Sequence, residues 1–405
     1  MTEKLYKRKI VDELIKYLKT DDIVVLHGAR QVGKTCILYW LKSYLEEKGD
    51  KSYYIDLEDS RLTKLLNGGV GEFITHLKEE GYWAEGKKKI YVFIDEIQYL
   101  ENPSEFLKLV ADHYKNIKLI ISGSSSFEIK SKFKDSLVGR TVNFEIFNLS
   151  FEEFLLFKKY HFDKKEKITE KKINELKLLF KNYVLYGGYP KIALTEEIEL
   201  KAKYLQQIID TYVKKDIRDL AQVKDVEKFN KLAEVLASQS GQLLNAAELS
   251  NTCKISKQTI EKYLFILENT YIIKLVRPFH RNLRGELFKT PKIFFYDTGL
   301  AQILWLKELQ KEIIGSIFET SVYAELAKKY GRESIYYWRT KDKKEIDFIL
   351  KHKNEIIPIE VKLNFGKTNL GSVKYFIENY KSKRCNIVGL EGEKNKKQHV
   401  YPWEL

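Results

Sequence analysis

The nine residues from His27 to Thr35 read HGARQVGKT, and the meaning given to them decides the fold. An apolar run, IVVLH, leads in, and TCILYWLKSYLEE leads out with helical spacing, so the glycine-rich stretch joins a strand to a helix. Gly28 and Gly33 allow a turn tight enough for the N–H groups from about Gln31 to Thr35 to face an anion at the helix N-terminus. Gly28, Ala29, Arg30, Gln31, Val32, Gly33, Lys34, Thr35 and Cys36 are therefore the expected cradle for nucleotide phosphates. Lys34 brings a point charge for the β and γ phosphates, and Thr35 a hydroxyl for Mg2+. ATP and Mg2+ are the expected cofactors.

Working outward, short β-rich runs alternate with helical stretches from Asp21 to about Leu149, which predicts a parallel sheet flanked by helices. The fold class expected is α/β. In KIYVFIDEIQ a buried run ends in Asp95 and Glu96, as a second strand beside the loop requires. Asp95 would hold Mg2+ through water, and Glu96 would polarise the attacking water. The following strand, KLIISGSSS, ends in Ser122, Ser124 and Ser125, any of which could position that water.

Changes of pattern divide the chain into a nucleotide domain over 1–150, a helical lid over 151–224, a winged-helix-like segment over 225–299 and a small α/β domain over 300–405. YGGYP, Tyr186 to Pro190, punctuates the lid as a turn between two helical pieces. In the third part, Ile260, Leu264 and Leu267 recur at helical spacing behind an N-cap at Ser256, leaving Lys257, Gln258, Glu261 and Lys262 on the outer side. Such a helix either enters a DNA groove or docks on protein.

Near the end stands PIEVK, Pro358 to Lys362, thirteen residues after the aspartate of EIDFIL. Strand alternation puts Glu360 and Lys362 on one face, and a hairpin through KHKNEIIP would bring Asp347 beside them. Paired carboxylates offer hard oxygens to Mg2+, and the lysine could place a water or stabilise a phosphate under attack. Glu319, in GSIFET, is a candidate third acid.

Lys and Arg number 71 against 57 Asp and Glu, a net charge of +14, which suits a polyanionic partner or a lysine-rich surface kept for solubility. Three scattered cysteines without metal-type spacing fit a reducing compartment. The first twenty residues mix acids with bases where a leader peptide has an apolar centre, and no run is long enough for a membrane span. A cytoplasmic protein without membrane contact is expected.

HGARQVGKT, FIDEIQ, ISGSSS, LVGRTVNFEIFNLSFEEFL, YGGYP and DTYVKKDIRDL together resemble the AAA-type ATPases, in particular the bacterial and archaeal ATP-binding proteins that pair this module with a distinctive C-terminal domain. The resemblance spans most of residues 1–220. It implies that Arg140, in LVGR, reaches a γ phosphate as an arginine finger from the same or a neighbouring subunit, with Arg218 a weaker candidate; neighbours would make the protein an oligomer. GSIFET, YYWRTKDKKEIDFIL and PIEVK resemble the C-terminal domain of that family, and the order Glu319, Asp347, Glu360 and Lys362 resembles the PD-(D/E)xK nuclease-like core, whose four polar positions they would occupy. Many proteins with that core keep the fold and lose the chemistry. The expectation is an ATPase coupled to a DNA-associated nuclease-like domain; the alternative is an ATP-gated docking switch for a protein partner, with an inert C-terminal domain.

Overall fold

A computed structural model describes residues 5–83, 88–123, 137–162, 169–213, 216–217, 223, 225–280, 290–367 and 370–405. Ser124, Ser125 and Arg218 lie outside the described residues. The chain divides into one unit ending at Phe147 and another running from Asn148 to Leu405. Among the described residues no helix is long and apolar enough to cross a membrane.

In the first unit β1 (Ile23–His27), β2 (Lys51–Asp56), β3 (Ile90–Asp95), β4 (Ile117–Gly123) and β5 (Thr141–Glu145) form one parallel sheet in the order β2-β3-β4-β1-β5. The sequence explains the layering. β1, β3 and β4 are buried along their whole length, as near-continuous Val, Ile and Leu runs must be when helices cover both faces. The helix after the loop, Lys34–Glu47, buries Ile37, Leu38, Leu41 and Leu45 on one side. β3 ends beside the loop, as expected, although β4 lies between β1 and β3 in the sheet. All seven β4 residues are buried, so the strand able to cover both faces takes the middle of the sheet.

The second unit begins with the helix Phe151–Phe157, whose capping box pairs Ser150 with Glu153. Helices Glu170–Tyr186 and Ile198–Tyr212 follow. At the end of the first of these, YGGYP is a docking point as well as a turn. Gly187 has φ +82°, and a Cβ there would stand 2.3 Å from Asp297 Oδ1. The Gly188 N–H donates to Asp297 Oδ2 at 2.8 Å, while Asp297 Oδ1 accepts from Leu300 N at 2.8 Å and so caps the helix Thr298–Leu306. Burial pushes the Asp297 carboxyl above its usual range.

Helices Val226–Ser238, Ala246–Cys253 and Lys257–Asn269 lead to an antiparallel pair, β6 (Ile273–Val276) and β7 (Lys292–Phe295). After the helix Gly315–Tyr330 come β8 (Ile335–Arg339), β9 (Glu345–His352), β10 (Glu355–Val361), β11 (Asn386–Val388) and β12 (His399–Val400), in the order β12-β11-β10-β9-β8. β8, β9 and β10 are antiparallel neighbours, and β10, β11 and β12 parallel ones. Lys353 and Asn354, both at positive φ, make the two-residue turn that the β9–β10 hairpin demands. Residues on either side of position 300 share one core. Phe294 of β7 stacks on Tyr323 of the long helix at 4.9 Å and meets Phe348 of β9 at 5.1 Å.

Candidate nucleotide site and acid cluster

The end of β1 delivers the chain into the glycine loop under tight steric control. A Cβ on Gly28 would fall 2.0 Å from the Ile146 carbonyl oxygen, so only glycine fits there without moving the backbone. Gly33 sits at φ +96° as the residue that opens the helix Lys34–Glu47, and Gln31 is also left-handed at φ +60°. Ala29 and Val32 are buried, Arg30 half-buried, and Gln31 and Cys36 exposed. Lys34 is 5% exposed, and its ammonium donates to the carbonyls of Gly28 at 3.1 Å and Ala29 at 2.8 Å. A buried ammonium lying along a loop of backbone groups is suited to an anion in that loop.

Thr35, in the first turn of the helix Lys34–Glu47, and Asp95, the last residue of β3, meet across the sheet end. The Thr35 hydroxyl donates to Asp95 Oδ2 at 2.6 Å, and the Tyr54 hydroxyl donates to the same oxygen at 2.8 Å. The other oxygen, Oδ1, accepts from the Ser122 hydroxyl and from Glu96 N. Burial, reinforced by the Asp95 carboxylate, drives the Tyr54 phenol far up, so it stays a donor. A carboxylate and a hydroxyl within 2.6 Å of each other are the hard-oxygen donor set that Mg2+ takes, so the residues fit that ion. Glu96 adopts φ +56°, and its carboxylate accepts from the Gln98 amide.

Arg140 is placed elsewhere. It immediately precedes β5, and its carbonyl accepts from Ile23 N at 2.8 Å, at the start of β1. Ile23 and His27 are separated by roughly 13 Å of strand, so Arg140 is at the opposite end of the strands from its own loop. Its guanidinium forks onto Asp112, with Nε to Oδ1 at 2.8 Å and Nη2 to Oδ2 at 3.2 Å, and this hydrogen bonding lowers the Asp112 carboxyl. The geometry is incompatible with a finger acting within the same subunit.

In the second unit, hairpin register brings Asp347 and Glu360 side by side, one step beyond the pair Ile359 and Phe348. Asp347 Oδ2 accepts from Val361 N at 2.7 Å. Lys362 Nζ lies 2.8 Å from Glu360 Oε1 and 3.5 Å from Asp347 Oδ2. Glu319, from the helix Gly315–Tyr330, closes the group with one further residue, Lys292 of β7. That ammonium is 2.6 Å from Glu345 Oε1 and 3.6 Å from Glu319 Oε1. Glu319 Oε1 and Glu360 Oε2 are buried without hydrogen-bond partners. Burial and the nearby Asp347 charge push Glu319 up to about 8 and Glu360 up to about 7, outweighing the pull of the lysines. Both lysines are raised by the acids despite their burial.

The four expected polar residues thus come together, yet they do not fit a divalent ion as arranged. Among the described residues no three His, Cys, Asp or Glu side chains are grouped to hold a metal. Ammonium groups stand between the carboxylates instead.

A pH effect follows with a definite sign. Carboxyls held above their unfolded value of 4.5 bind protons more tightly in the folded state, so their contribution to stability falls as pH rises from there towards 8. In a chelator, unfolding free energy should therefore decline from pH 5 to pH 8.5. Glu319→Gln should flatten that slope by up to about 1.4 kcal/mol per pH unit, measured by urea titration at each pH; an unchanged slope would contradict the assignment.

Sequence reasoning missed Tyr54, Arg8, Lys292 and Glu345. Arg8, 6% exposed, donates to the Val32 carbonyl of the loop at 2.8 Å and to the Phe147 carbonyl at 3.0 Å. Its sequence context, YKRK, looks like any solvated basic run.

Comparison with known proteins bears on the fold of the first unit. Residues 20–155 match a family model described as an AAA domain. The first unit has the fold of the AAA-type P-loop ATPases. Residues 177–311 and 314–405 match two domains of unknown function, DUF8612 and DUF4143. An uncharacterized protein of Haemophilus influenzae is 29% identical over 363 residues, covering 88% of this chain and 86% of its own length. One from Methanocaldococcus jannaschii is 27% identical over 368 residues, covering 88% and 79%. Among solved structures, a Walker-type ATPase of Pyrococcus abyssi superposes with a TM-score of 0.49 at 16% identity, over 75% of this chain and 96% of that one.

Proposed function

We propose that the protein is a Mg2+-dependent ATPase whose nucleotide cycle governs the state of its second unit. The observation that carries this reading is the convergence of Lys34, Thr35 and Asp95, with Thr35 donating to Asp95 at 2.6 Å. The AAA-type loop would hold the phosphates through its N–H groups and Lys34. Thr35 and Asp95 would hold the ion, which when bound neutralises phosphate charge. Glu96 would orient water and accept its proton, with Ser122 fixing the Asp95 carboxylate. Since Arg140 lies at the far end of the strands from its own loop, a finger role falls to the site of a neighbouring copy.

The whole chain's net charge of +14 and the exposed face of Lys257, Gln258, Glu261 and Lys262 in the second unit favour DNA as partner. The nuclease-like acids would then act on DNA only in another arrangement. A second reading is favoured by Lys292 and Lys362: carboxylates neutralised by lysines are what an inert docking domain would keep. ATPase rate with and without single- and double-stranded DNA, from 50 to 300 mM salt, separates the two. The first reading expects stimulation that fades steeply with salt; no stimulation, together with no salt-dependent DNA affinity, would favour a protein partner.

A further inference from the structure

Three acids converge without a metal-like grouping, and Lys292 is the ammonium among them that comes from outside the C-terminal sheet. We propose that Lys292 is an internal cation that keeps the Glu319, Asp347 and Glu360 cluster closed, and that divalent metal binds there only when it leaves. The proposal rests on reading that cluster as a latent divalent-cation site.

Lys292 does not come from the C-terminal sheet that carries Asp347 and Glu360. It comes from β7, yet its side chain is only 5% exposed and reaches two acids, Glu319 and Glu345. An ammonium buried this deeply persists only because it is paired, and a carboxylate turned towards it is not available to another cation. The wall around Glu319 is continuous with the same segment. A Cβ on Gly241 would lie 3.3 Å from Glu319 Oε2, Gly241 N donates to the Ile293 carbonyl at 2.7 Å, and the Ser240 and Thr320 hydroxyls are 2.7 Å apart.

β7, which carries Lys292, pairs antiparallel with β6, and described residues beside both strands are tied to β8. Tyr337 of β8 donates through its backbone to the Arg277 carbonyl at 3.1 Å, and its hydroxyl donates to the Thr290 carbonyl at 2.5 Å. Phe279 N donates to the Tyr337 carbonyl at 2.6 Å. Arg277 and Phe279 after β6, and Thr290 before β7, are thus held against the edge of the C-terminal sheet, and release of β7 from that edge would draw Lys292 out. Glu319 and Glu360 each already have a buried oxygen without a hydrogen-bond partner, so a cation entering after Lys292 would meet ready acceptors. Lys362, bonded to Glu360 and near Asp347, stays with the cluster because it follows β10 directly.

The test is Mn2+ titration by calorimetry, without nucleotide, on the full chain as wild type, Lys292→Met, Glu345→Gln and Lys292→Met with Asp347→Asn. Lys292→Met should bind Mn2+ about tenfold or more tightly than wild type, and the gain should vanish with Asp347→Asn. Glu345→Gln removes the closest anchor of Lys292 and should also raise affinity, although it deletes a negative charge; simple electrostatics predicts the reverse, and this milder change serves if Lys292→Met fails to fold. Equal Mn2+ binding by wild type, Lys292→Met and Glu345→Gln, lost with Asp347→Asn, would overturn the internal-cation role and leave the metal site standing. No binding in any variant would overturn both.

Discussion

Replacing Lys34 with alanine should lower ATP turnover by about a hundredfold to a thousandfold, the usual loss when a charge-stabilising donor leaves an active site. The side chain is 5% exposed and stands at the N-terminus of the helix Lys34–Glu47. Alanine also leaves the Gly28 and Ala29 carbonyls without the ammonium they now accept from, a stability loss of about 1–3 kcal/mol. Thermal melting beside the activity assay separates the effects: a folded Lys34→Ala protein with wild-type turnover would remove Lys34 from the chemistry. Loss of nucleotide affinity should accompany loss of rate, because the same ammonium serves the bound state and the reaction.

Glu96→Gln should split binding from turnover. The residue sits one position beyond the Asp95 cluster, in a left-handed conformation, with its carboxylate accepting from Gln98. Glutamine keeps the size and loses the basicity, so nucleotide affinity should stay within about threefold while turnover falls by about a hundredfold, the range of general-base contributions. A fluorescent nucleotide titration beside a phosphate-release assay reads both. If the two quantities fall together, Glu96 holds the site rather than activates water; if neither moves, another group performs the proton transfer.

Much of this site could be read in the sequence because its parts are local. Gly28, Gly33, Lys34 and Thr35 stand at spacings that only one backbone path satisfies, and Asp95 closes an apolar run whose burial is unambiguous. The acid cluster was legible for a related reason: strand alternation and a hairpin fix which side chains of EIDFIL and PIEVK meet. What escaped depends on contacts distant along the chain. No local pattern says that β4 inserts between β1 and β3, since strand order is a property of the whole sheet. Tyr54 is one of 26 tyrosines and Lys292 one of 71 basic residues, so neither is distinguishable until the fold buries it against a carboxylate. For Arg140 the choice between its own and a neighbouring subunit stayed open, because LVGR gives its neighbours in sequence and not which end of the sheet it occupies. YGGYP announced a turn, whereas its need for two adjacent glycines comes from Asp297, over a hundred residues later.

The central claim is that the loop from Gly28 to Thr35 encloses the phosphates of ATP with Mg2+. Isothermal calorimetry of the wild-type chain with ATP and Mg2+ tests it most directly. The account predicts a single saturable site with a Kd on the order of micromolar, about −8 kcal/mol, absent in Lys34→Ala. A wild-type protein that is folded and gives no binding heat, or a Lys34→Ala protein that binds equally well, would contradict it.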